Sequence, residues 1–194
     1  MNHFAHLVLS QPTVESVVGN LLGDFARGVN IADLPGPVRA GLLNHRAVDR
    51  FTDAHPLVIE MKGCFSAQRR RFAGIALDMY FDHLLIRHWG RLEQGEFRQA
   101  IDDCYHYLAQ GQHLMPAEMQ RVSQRIVAAD WFGSYVSIDA MAEAMDRVAG
   151  RIRFPNRFDH AIDDIRAHEA QIEEGFLEFY PQLRAHISEQ ALES

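Results

Sequence analysis

The chain is short of lysine, of cysteine and of uninterrupted apolar sequence, and each shortage narrows what it is. Lys62 is the single lysine among 19 basic residues, so the other 18 are arginines, the side chain suited to bidentate contact with phosphate or carboxylate. Set against 26 acidic residues they leave a formal charge of −7, which argues against a nucleic-acid partner, because phosphate contacts need a net basic face. Cys64 and Cys104 stand apart among apolar and charged neighbours. That spacing excludes a disulfide scaffold and a cysteine-held zinc site, and it fits a reducing compartment. No run approaches the roughly 18–20 apolar residues of a membrane span, and a basic-then-apolar leader is missing. The expectation is therefore a cytoplasmic protein with no membrane partner. Glycine-rich nucleotide motifs and a nucleophile elbow are also missing.

What remains is a chain of 194 residues with 47% hydrophobic content, one domain's worth at roughly 150 residues per domain, with enough apolar side chain to build a core without staples. Apolar residues recur at helical spacing and never alternate over a strand length, so the expected architecture is all-α, a single-domain helical bundle over residues 1–194. Helices are expected over Met1 to Ser10, and from an N-cap at Thr13 to Arg27, stopped by Gly28. A third starts near Pro37 and ends near Asp53, since His55-Pro56 disfavours continuation. A fourth runs from Pro56 to about Arg71. From Ala73 to Trp89 the pattern is apolar nearly all round, which belongs at the centre of a bundle. Phe97 to Gln110, Pro116 to Ala129, Ile138 to Ala149 and Phe158 to Tyr180 complete the set.

Ionisable residues inside these apolar segments are the informative anomaly, because a buried carboxylate needs a partner or a metal. Asp24 ends the stretch Gly19 to Phe25. His45 and Asp49 lie one turn apart on one helical face, and so do Asp78 and Asp82 on the central helix. Inward carboxylates and imidazoles at such spacing are how bundles build metal sites, and an oxygen-rich set suits Mn²⁺, Fe or Mg²⁺. The competing reading for Asp78 and Asp82 is pairing with Arg46 or Arg50. His6, beside an apolar turn, is either a core residue or part of the site.

At these clusters the sequence resembles the acyl carrier protein phosphodiesterases, also called acyl carrier protein hydrolyases. That family opens with an Asn-Phe-Leu-Ala-His-Leu type segment and continues with Gly-Asn-Leu-Leu-Ala-Asp-Phe. Next come His-Arg-x-Ile-Asp-x-x-Thr-Asp and an Asp-x-x-x-Asp-His helix ending Arg-His-Trp. Here the matching stretches are Asn2 to Leu7, Gly19 to Phe25, His45 to Asp53 and Asp78 to Trp89. Departures are His3-Phe4 for the aromatic-aliphatic pair, Gly23 for Ala and Val48 for Ile. A looser likeness continues through Trp131 to Tyr135 and Phe179 to Pro181.

The resemblance implies an HD-like phosphohydrolase architecture and hydrolysis of the phosphodiester that joins 4′-phosphopantetheine to a serine of holo acyl carrier protein. It also implies a divalent metal, Mn²⁺ especially, with Mg²⁺ as an alternative. The expected metal ligands or their orienting neighbours are Asp24, His45, Asp49, Asp78 and Asp82. His83 or His6 is expected to donate the proton to the departing serine oxygen, with Asp24 the residue carried over most directly as catalytic. Arg27, Arg46 and Arg50 are expected to clamp phosphate. Arg69, Arg70 and Arg71 form either a docking patch for an acidic carrier or a solvated helix end. The rival readings are an HD-like hydrolase of a small nucleotide or phosphodiester, which needs no docking patch, a non-catalytic helical metal-binding protein, and a purely structural bundle.

Overall fold

The computed structural model describes residues 1–154 and 156–193, and among them there are helices and no strands. In chain order the helices are α1 (His3–Val8), α2 (Val14–Leu22), α3 (Gly36–Ala54), α4 (Pro56–Gly63), α5 (Ala73–Arg87), α6 (Trp89–Leu92), α7 (Phe97–Gln110), α8 (Ala117–Ala128), α9 (Trp131–Ser134), α10 (Ile138–Ala149), α11 (Ala161–Ala167) and α12 (Glu169–Gln190). Short 3₁₀ turns at Gly23–Phe25 and Arg70–Phe72 extend the end of α2 and lead into α5. No described helix is long and apolar enough to cross a membrane.

Helix α5 is the centre of the bundle, as its all-round apolar pattern predicts. Leu77, Tyr80, Phe81, Asp82, Leu84 and Leu85 are fully buried, and α5 packs against α1, α4, α10 and α12. Helices α2 and α3 meet more closely than side chains would allow. A Cβ on Gly19 would overlap the Val38 carbonyl and come within 2.9 Å of the Gly41 Cα, so the two backbones are in direct contact there. The Thr13 hydroxyl caps α2 by accepting from the Ser16 amide at 3.3 Å, and Gly28 takes the left-handed conformation (φ 80°) at the turn beyond.

Three expected helices are redrawn. Helix α2 ends at Leu22, and the 3₁₀ turn Gly23–Phe25 replaces the run to Arg27. Helix α4 ends at Gly63 rather than Arg71, because the segment after it is anchored from outside. Phe65 is buried, Ser66 gives both its amide and hydroxyl to Asp164, and Arg69 Nε donates to the carbonyls of Arg157 and Asp159. The expected C-terminal helix is two helices. His168, at φ −127° and ψ 24°, breaks the chain between α11 and α12. Helix α12 then runs through Pro181 to Gln190. An interior proline removes one hydrogen bond, but complete burial of Phe179, Tyr180 and Leu183 on the same helix outweighs that loss, each burial contributing roughly 1.5–3 kcal/mol.

Candidate metal centre

His45 and Asp49 project from α3 one turn apart, with His45 Nε2 3.1 Å from Asp49 Oδ2. Helix α1 brings His6 to the same carboxylate, its Nε2 3.1 Å from Asp49 Oδ1 and equally near the Met1 carbonyl. The two imidazoles stack with centroids 3.8 Å apart and planes 20° from parallel. One ligand atom from each of the three residues lies within 4.8 Å of the others. Both rings are buried, whereas the Asp49 side chain is 43% exposed, so the cluster opens to solvent through its carboxylate.

Two observations show that these residues fit a divalent cation. The Nδ1 atoms of His6 and His45 are buried with no hydrogen-bond partner. Whichever nitrogen carries the proton, each ring keeps one nitrogen that the protein leaves unsatisfied. The protonation states also suit a cation. Burial drives His6 down to about 4, with Asp49 opposing and His45 adding to the drop. Burial alone would raise Asp49, but hydrogen bonds from His45 and His6 hold it well below the ordinary carboxylate range. At neutral pH His6 is therefore an unprotonated imidazole facing an ionised carboxylate, the state a metal requires of its ligands.

Asp24 sits at the rim, in the 3₁₀ turn after α2, with Oδ2 2.8 Å from His3 Nδ1. Burial works to raise it, but His3, His45 and His6 together bring it to about 2, so its charge is felt by the cluster. Gly23, the residue before it, makes room for the centre. A Cβ there would overlap the His45 ring itself. Gly23→Ala is expected to push that ring off the stack with His6 and weaken Mn²⁺ binding by about tenfold or more, the scale seen when a ligand's orientation is disturbed. Metal titration followed by calorimetry checks this, and unchanged affinity would mean that His45 is free to repack.

The remaining expected ligands are held by other partners. Asp78 Oδ1 accepts from the Met1 ammonium at 2.8 Å, and burial raises its pKa despite that cation. Asp82 is fully buried, with its two oxygens accepting from the Phe4 and Ala5 amides at 3.1 and 2.9 Å. Neither aspartate pairs with Arg46 or Arg50 among the described contacts. His83 faces a different cleft, of about 460 Å³, lined by Ile86, Arg87, Phe97, Val136 and Glu169, and its Nδ1 is 2.7 Å from the Tyr135 carbonyl. Arg27, Arg46 and Arg50 are exposed. Arg69 is occupied by carbonyls and Asp164, Arg70 donates to the Gly63 and Phe65 carbonyls, and Arg71 lies over the Phe72 and Phe154 rings. The structure thus gathers His6, His45 and Asp49, with Asp24 beside them. The part played by His3 as the partner of Asp24 has no signal in the sequence, because the pairing spans 21 residues and depends on how α1 docks.

The sequence model of one protein family, described as Acyl carrier protein phosphodiesterase, matches residues 1–183. Curated relatives with the same name include a protein of Yersinia enterocolitica, 32% identical over 99% of this chain and 100% of its own length. One from Yersinia pestis is 35% identical over 94% of this chain and 95% of its own. A third, from Escherichia coli O157:H7, is 33% identical over 99% and 100%. No solved structure gives a significant match.

Proposed function

The chain belongs to the acyl carrier protein phosphodiesterase family, and we propose that it hydrolyses the phosphodiester between 4′-phosphopantetheine and the serine of holo acyl carrier protein, releasing apo carrier and 4′-phosphopantetheine. The observation that carries a metal-assisted reading is the convergence of two buried imidazoles, each with an unpaired Nδ1, on one ionised carboxylate that their Nε2 atoms meet at 3.1 Å. His6, His45 and Asp49 would hold a divalent cation; Mn²⁺, with Mg²⁺ as the alternative, is what the family resemblance implies, and two imidazoles with one carboxylate equally suit Fe²⁺. Held there, a cation would supply charge neutralisation at the phosphoryl oxygens and a more acidic water, which are what phosphodiester hydrolysis needs.

The chain's own residues do the rest. Asp82 anchors the first turn of α1 through the Phe4 and Ala5 amides and so fixes where His6 stands. Those contacts support a positioning role for Asp82, although its spacing on the central helix predicts a ligand. His6, unprotonated at neutral pH, acts as a ligand rather than as the proton donor. His83 lines a cleft to which none of His6, His45 and Asp49 contributes, which supports a proton donor other than His83. His3, paired with Asp24 and 20% exposed, is the histidine on the rim left to carry a proton. Arg46 and Arg50 each follow a cluster residue on α3 and are exposed, which suits them to the phosphate oxygens. Arg27, two residues beyond the turn that carries Asp24, is exposed as well and is the third candidate for the phosphate.

Incubation with holo carrier and Mn²⁺, with and without chelator, followed by intact mass of the carrier, tests the reading. The expected result is loss of the phosphopantetheine mass only where metal is present. A carrier left intact with Mn²⁺, Mg²⁺ and Fe²⁺ alike overturns it.

A further inference from the structure

Away from the metal centre, the α2–α3 seam holds a second polar site that the proposed chemistry does not use. Ser16, Asn20 and Asn44 are at most 3% exposed, and all three are neutral. The Ser16 hydroxyl and Asn20 Nδ2 both donate to one oxygen of Glu193, the latter at 3.1 Å. Asn44 Nδ2 donates to Asn20 Oδ1 at 3.0 Å and to the Leu9 carbonyl at 3.2 Å, which fixes the Asn20 amide so that its Nδ2 serves both Glu193 and the Ser16 carbonyl, each at 3.1 Å. A cleft of about 370 Å³ reaches Asn44 and Glu193 and is bordered by Leu9, Gln11, Ile187 and Leu192, while Ser16 and Asn20 lie behind Glu193.

Two neutral donors converging on one oxygen is how a carbonyl oxygen is bound. A dedicated carboxylate site would place a cation there, yet the guanidinium bordering the cleft, Arg184, is engaged by Glu93 Oε2 at 2.6 Å. Burial accordingly raises the Glu193 carboxyl toward its neutral form. The site also lies beside the metal centre. Asn20 is three residues before Gly23, against which the His45 ring lies, and Asn44 directly precedes His45. At 1.5 Å per residue that is about one helical turn along the seam.

We propose that the Ser16–Asn20–Asn44 pocket binds an amide carbonyl of the pantetheine arm, and that Glu193 occupies it as a displaceable internal stand-in. This rests on the proposed hydrolase function, which supplies an arm bearing two amides and a phosphodiester end. Displacing Glu193 exposes the donors, so the segment 191–193 sets the affinity for the arm without touching the hydrolytic residues.

Free D-pantetheine, which has no phosphate, reports the pocket independently of turnover. Calorimetry on the full chain is expected to show Glu193→Ala binding it about tenfold tighter than wild type. The same variant lowers KM for holo carrier by a similar factor while kcat moves less than twofold. Adding Asn20→Asp, which sets an acceptor where the donor stood, or Ser16→Ala if the former fails to fold, reverses the gain. Equal pantetheine affinity in wild type and Glu193→Ala, or a raised KM, overturns the proposal, whatever the carrier assay shows. Tighter pantetheine binding by a protein that leaves the carrier intact under every metal keeps the pocket and removes the hydrolase reading instead.

Discussion

Asp49→Ala is expected to abolish metal-dependent hydrolysis of holo carrier while leaving the protein folded. The carboxylate is the one anionic member of the cluster and the only one that reaches both imidazoles, at 3.1 Å each. Losing it removes a ligand and the partner that orients the other two. Charge stabilisation by a bound metal is worth several kcal/mol, so at about 1.4 kcal/mol per factor of ten the rate falls on the order of a thousandfold. The fold tolerates the change because the side chain is 43% exposed, His6 is already neutral at pH 7, and the buried Met1 ammonium, 3.5 Å from Asp49 Oδ1, keeps its closer partner Asp78 at 2.8 Å, so no buried charge is stranded. Mn²⁺ titration, circular dichroism melting and the carrier mass assay separate these effects. In the wild type, metal binding should weaken as pH falls toward about 4, where His6 takes up the proton that competes with the cation. An Asp49→Ala protein that keeps both metal affinity and turnover would move the centre elsewhere in the chain.

His45 and Asp49 were legible in the sequence because both lie on one helix, where four-residue spacing dictates a shared face. The same rule identified Asp78 and Asp82 but could not say what they face. Asp78 meets the Met1 ammonium and Asp82 the backbone amides of α1, contacts set by the docking of a six-residue helix rather than by any local pattern. His6 was ambiguous for the same reason, since its place in the cluster follows from where Asp82 holds that helix. The arginine run 69–71 reads as a charged patch, yet Arg69 and Arg70 spend their donors on carbonyls that close the turn after α4. Helix α12 passes a proline at which the sequence pattern says to stop, because what decides there is the burial of Leu183 beyond it. Local rules therefore recover the all-α class, the central helix and the α3 side of the His6–His45–Asp49 cluster. The other side is tertiary.

Asp82→Ala is expected to cost stability, by an amount that depends on pH in a definite direction. The change leaves the Phe4 and Ala5 amides buried without acceptors. At roughly 1–3 kcal/mol for each orphaned group, the loss at pH 5 is about 3 kcal/mol. Burial lifts the Asp82 carboxyl to about 7 even against those amides. Between the ordinary carboxylate range and pH 7 the folded protein thus holds a proton that the unfolded chain has released. Wild-type stability carries a term that falls as pH rises through that window, and the alanine variant lacks it. Urea unfolding should therefore show the gap between the two proteins narrowing from pH 5 to pH 8. Metal affinity should fall with stability, because α1 carries His6. A variant as stable as wild type that has lost Mn²⁺ binding would instead place the Asp82 carboxylate on the metal itself. Only the combined loss, with its pH dependence, assigns the carboxylate to holding α1 in place.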